Sequence, residues 1–143
     1  MVNEQPLVNV AFIPDLEDEA IVFTGSGEAL LGLSQFLAEL PDLLGDLGDA
    51  IPIAMFPFIH ALGNTTVFGR LAEEASGMRR LGEDTFEWGL SPETTQQFAE
   101  LVGVVAESSG PSQQFLNTYA GDEVVVIVSK GVHDLEAMLK EEG

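Results

Sequence analysis

Two stretches of this chain follow one plan: an apolar run, a short turn, Ser-x-Glu, then a helical pattern. They are Ile21 to Leu40, with Ser26 and Glu28, and Phe86 to Ala106, with Ser91 and Glu93. Serine is a preferred helix N-cap, because its hydroxyl accepts from an amide that the helix leaves unpaired. A carboxylate two residues on sits where the positive end of the helix dipole favours it. In the second stretch Pro92 fills the first helical position, where its missing N–H is no loss. The echo reads either as a duplicated βα element or as the cap that any strand entering a helix needs.

The rest of the chain supplies more strands than helices. Leu7 to Ile13 alternates Val8, Val10 and Phe12 with Asn9 and Ala11, and Ala20 to Thr24 follows a short acidic turn, so the two read as a hairpin. Leu30, Leu33, Phe36, Leu37 and Leu40 give the first helix a strong apolar face, and Pro41 marks a kink or a new turn. Ile51 to Leu62 is apolar without a clean period and fits a buried strand, a short helix or both. Asn64-Thr65-Thr66 reads as a helix start, with Val67, Leu71, Ala75 and Met78 at near-helical spacing and Arg79-Arg80 at its end. Thr85 to Trp88 is a short strand, and Phe98, Leu101, Val102 and Val105 form the apolar face of the helix opened by Ser91. Gln113 to Thr118 and Glu123 to Ser129 read as another hairpin. The continuous apolar run Val124 to Val128 suits a central strand covered on both faces. Val132 to Glu142 reads as a closing amphipathic helix.

Charge constrains the partners. Among 143 residues there are 24 carboxylates against five lysines and arginines, a formal net charge of −19. The first sixty-nine residues hold ten carboxylates and no basic side chain. That excludes nucleic acid or an anionic membrane as a direct partner of the N-terminal half, because phosphate binding needs clustered cations. It suits a basic protein partner, or a high-salt cytosol. An apolar content of 45% argues against a disordered acidic tail. No cysteine is present, so disulfides, thiol nucleophiles and thiolate metal sites are excluded together. The first residues show neither a basic region nor an early apolar run, and the apolar stretch 50–62 is short and broken by Pro52, Pro57 and His60. A soluble cytoplasmic protein is the expectation.

Catalytic and metal motifs are not apparent. His60 and His133 lack a partner at ligand spacing and read as core or helix-start histidines. Ser26 and Ser91 read as caps, since a nucleophile elbow needs Gly-x-Ser-x-Gly and a histidine. The expectation is therefore no cofactor and no metal, and an enzyme is the lesser reading. The carboxylates that stand out are the loop Asp15, Glu17, Asp18 and Glu19, and the stripe Asp42, Asp46 and Asp49, which would share one helical face beside Glu39. Trp88, flanked by acidic residues, reads either as core or as an aromatic anchor in a protein interface.

One stretch resembles a known group. Gln113-Gln114-Phe115-Leu116-Asn117, then Gly121-Asp122-Glu123, then Val124 to Val128 with Ser129-Lys130-Gly131, resembles the tail of small bacterial polymorphic-toxin immunity proteins. Those proteins tend to carry a His-Gln-Tyr-Leu-Asp-like strand, an acidic turn and a Val-rich strand ending in Ser-Lys. Here Gln113, Phe115 and Asn117 stand in place of the histidine, tyrosine and aspartate. Val22 to Leu40 is similar to their N-terminal strand and Leu-rich helix. The resemblance implies an α+β domain that neutralises a toxin by binding it, with no catalytic residues.

Together these readings predict a single acidic α+β domain over residues 1–143, with a mostly antiparallel sheet of about five strands and helices packed on one side. The expected function is non-catalytic binding of a basic protein, as an immunity-type inhibitor or a mimic of nucleic-acid charge. The expected contact residues are Asp15, Glu17, Asp18, Glu19, Asp42, Asp46, Asp49 and Trp88. The alternatives are a halophile-adapted domain and a small-ligand binder or enzyme with a pocket near the apolar middle segment.

Overall fold

The computed structural model describes residues 8–13, 19–44, 50–53, 59–63, 65–71, 73–74, 77–116 and 124–130. The chain runs β1 (Val8–Ile13), β2 (Ala20–Thr24), α1 (Gly27–Leu44), β3 (Ala50–Pro52), β4 (Ile59–Ala61), β5 (Thr66–Leu71), β6 (Gly77–Arg80), β7 (Thr85–Leu90), α2 (Pro92–Glu107), β8 (Ser112–Phe115) and β9 (Val125–Lys130). It is a small α+β domain with its helices against the sheets. The strands form two mixed sheets, of order β4-β1-β2-β9-β8 and β3-β5-β7-β6.

The echo in the sequence extends to the architecture. In the larger sheet the hairpin β1–β2 is antiparallel, β2 runs parallel to β9, and β9 is antiparallel to β8. In the smaller sheet β6–β7 is antiparallel, β7 runs parallel to β5, and β5 is antiparallel to β3. Each half is thus a hairpin, a Ser-capped helix and a second pair of strands, and that second pair joins the sheet of the other half. Among the described strands only β4, parallel to β1, has no counterpart.

Burial follows the period of each element. On β2 and β7 the inward residues are Ile21 and Phe23, and Phe86 and Trp88. The sheets meet there: Phe12 and Phe86 lie 4.9 Å apart, Phe23 and Trp88 5.4 Å, and Trp88 reaches Phe98 of α2 at 5.8 Å. The Leu row of α1 and Phe98, Val102 and Val105 of α2 close the same core. The other face of the larger sheet is buried too, at Ala11, Ile13, Ala20, Val22 and Ile127. This is the covered central position expected for the Val-rich run.

The segment read as a helix from Asn64 is instead two strands. Val67, Gly69 and Leu71 are buried on one face of β5, and Gly69 conceals the alternation because it has no apolar side chain. It is small because Ile53 occupies the space: a Cβ there would lie 3.3 Å from Ile53 Cγ2. Arg79 and Arg80 accordingly sit on strand β6. The closing helix read over Val132 to Glu142 lies outside the described residues. No helix of the described residues is long and apolar enough to cross a membrane.

Candidate functional site

The two helices lie side by side and antiparallel. Ser34 Oγ donates to the Ala99 carbonyl at 2.7 Å, and Gln96 Nε2 to the Ala38 carbonyl at 3.2 Å. At the start of α1, a Cβ on Gly27 would sit 2.8 Å from the Ala106 carbonyl oxygen. Only glycine permits that approach. Each helix starts on its serine: Ser26 Oγ accepts from Ala29 N, and Ser91 Oγ from Thr94 N, both at 3.1 Å.

With the apolar faces turned inward, both outward stripes carry carboxylates. On α1 they are Glu28, Glu39 and Asp42; on α2 they are Glu93, Glu100 and Glu107, two turns apart. All six are exposed, and neither helix carries a lysine or arginine. The halves match here as well, since Glu28 and Glu93, and Asp42 and Glu107, hold the same places relative to their caps. Two apolar side chains stand among them at the same level of the pair, Leu31 at 42% exposed and Val104 at 64%. Acidic groups around exposed aliphatic ones suit a basic protein surface. Asp42 and Glu107 also lie near helix C-termini without a basic residue in the last turn. A carboxylate there opposes the helix dipole, so helix stability does not account for it.

Three of the four described cations have partners within the molecule. Arg80 lies 5.0 Å from the Phe12 ring centroid, donates to the carbonyls of Gly82 and Glu83, and meets Glu19 at 3.4 Å. Arg70 meets Glu87 at 3.8 Å. Lys130 Nζ donates to the carbonyls of Ala106 and Ser108, placing a positive charge at the end of α2. None of the described carboxylates is buried.

Of the residues expected to make contact, Asp42 lies on this helical face. Glu19 is exposed but shared with Arg80. Asp15, Glu17, Asp18, Asp46 and Asp49 lie outside the described residues. Trp88 does not offer an interface anchor: it is 2% exposed, between Phe23 and Phe98. Its acidic neighbour Glu87 points to the opposite face of β7, as the two-residue strand period requires. His60 is not a core residue either; it is exposed on β4, 3.3 Å from Asn9 Oδ1. Among the described residues no group of three His, Asp or Glu is placed to hold a metal ion. The α2 carboxylates are not among the expected contact residues, although their spacing marks a single stripe. Comparison with protein-family models, curated proteins and solved structures gave no match.

Proposed function

We infer that this protein is a non-catalytic acidic binder of a basic protein, acting as an immunity-type inhibitor or as a mimic of nucleic-acid charge. The observation that carries the reading is the paired helical face, with six exposed carboxylates, two exposed aliphatic side chains and no cation on either helix. A net charge of −19 draws a cationic partner in over long range. Leu31 and Val104 then provide apolar contact once water is displaced. The C-terminal resemblance to toxin-neutralising proteins supports the same class of action.

The test is charge reversal by location. The variant Asp42→Lys, Glu100→Lys and Glu107→Lys avoids the first helical turns, where carboxylates favour the helix. Its control reverses Glu73, Glu74 and Glu83, equally exposed and off the helices. Circular dichroism should be unchanged for both. Capture of a basic partner by pull-down should fall sharply for the helical variant and little for the control. Equal losses would show that net charge alone matters, and unchanged capture by both would reject the reading.

A further inference from the structure

We propose that the free edge of β8 docks an extended, lysine- or arginine-bearing segment of a partner protein, which adds to the five-stranded sheet as a further strand. The proposal rests on the reading of this chain as a binder of basic proteins, and it names how such a partner is held.

Four sheet edges lie among the described residues: β4 and β8 in one sheet, β3 and β6 in the other. Unpaired strand edges invite pairing with another chain, and proteins blunt them with short strands, prolines or charges. β3 is three residues long and ends in Pro52. β6 ends in the exposed pair Arg79-Arg80. β4 is three residues long, and beyond it the edge of β1 is still satisfied: Leu62 N donates to the Val10 carbonyl, and Phe12 N to Thr65 Oγ1. β8 is also short, at four residues, and follows Pro111, but no proline or charge lies within its sequence Ser-Gln-Gln-Phe. Among the described residues no strand lies beyond it.

The register identifies the groups that face outward. Leu116 N donates to the Val126 carbonyl, so Leu116 opposite Val126 is a hydrogen-bonded pair. Such pairs alternate along an antiparallel ladder. Ser112 and Gln114 therefore also bond towards β9, while the N–H and C=O of Gln113 and Phe115 point to the open edge. The side chains of these two residues are exposed as well, Phe115 at 46%. The edge thus offers two donor–acceptor pairs and an aromatic ring to an incoming strand, a known mode of peptide recognition.

Charge selects the occupant. A second copy would bring another −19 against the first, whereas a cationic strand is attracted by the whole chain. The edge itself carries no basic group to repel that strand.

The test uses the full chain, a synthetic peptide of alternating valine and lysine, and a counterpart of alternating valine and glutamate. The expected result is saturable binding of the lysine peptide only, with slowed amide exchange at Gln113 and Phe115 and no new protection at Ser112 or Gln114. Gln113→Pro removes an outward donor without touching the β9 ladder, so it should weaken binding about tenfold. Circular dichroism checks that this variant folds, and the wild-type exchange pattern decides the matter independently of it. Binding of the lysine peptide without protection at Gln113 and Phe115 would overturn the edge proposal and leave the acidic-binder reading standing. No binding of that peptide would overturn both. Equal binding of the glutamate peptide would overturn the choice of a cationic partner. Protection of the same two amides in peptide-free protein, with dimers in sedimentation, would make a second copy the occupant and reject the proposal.

Discussion

The two halves of the molecule share a plan and differ in how tightly they are built. In the first, α1 enters through Gly27, against the Ala106 carbonyl of α2, and presents a row of leucines to the core. In the second, α2 enters through Pro92 and presents Phe98, Val102 and Val105, with Ala99 and Ala106 on the same buried face. Large residues on one helix and smaller ones on the other let the pair approach closely while keeping the core filled. The difference also extends to the sheet edges: β3 ends in Pro52, whereas its counterpart β8 holds no proline and has no strand beyond it among the described residues. The acidic helical face lies where the halves match, and the β8 edge lies where they stop matching.

The largest expected effect lies where the halves meet. Trp88→Ala should cost about 3–5 kcal/mol in a denaturant melt, because a large ring leaves the junction of both sheets and α2. Trp88→Phe should cost only about 1–2 kcal/mol. It keeps a ring between Phe23 and Phe98 and removes the indole N–H, which has no hydrogen-bond partner among the described residues. A Phe variant as damaging as the Ala variant would mean that the indole nitrogen is bonded after all.

A medium effect separates the two helix starts. Gly27→Ala gains helix propensity of up to about 1 kcal/mol, but overpacking against a backbone carbonyl costs about 1–3 kcal/mol. The clash should win, and the variant should melt lower. Stabilisation instead would show that the helices can separate without cost, and the close approach would lose its meaning.

The smallest effect compares the caps. Ser91 is buried and also bonds Thr94 Oγ1 at 2.8 Å, whereas Ser26 is exposed. Ser91→Ala should therefore cost more than Ser26→Ala, within about 0.5–2 kcal/mol for each. The reverse order would indicate that α1 depends on its start more than α2 does.

Much of this plan was legible because caps and periods are local. Ser26, Ser91 and Pro92 placed both helices, and the alternation of β1 and the apolar run of β9 placed the larger sheet. The smaller sheet was hidden at Gly69, where a buried position carries no side chain because Ile53 fills the space. The spacing of Val67, Leu71 and Met78 then imitated a helix. Glu87 misled the reading of Trp88 in a similar way, since neighbours in a strand face opposite sides. Of the proposed contact surface, Asp42 was legible from charge and helical position. The joining of its stripe to that of α2 was not, because it depends on which helices lie side by side.

If the acidic helix pair is a docking face, its charges set how the association rate depends on salt. A basic partner recovered by pull-down should associate fastest with the wild type at low ionic strength and slow steeply as salt is raised. The variant Asp42→Lys, Glu100→Lys and Glu107→Lys should start much slower and show a flatter dependence, with the two curves converging at high salt. Curves that coincide at low salt would mean that the charges on the helices do not steer the encounter, and the helix pair would not be the docking face.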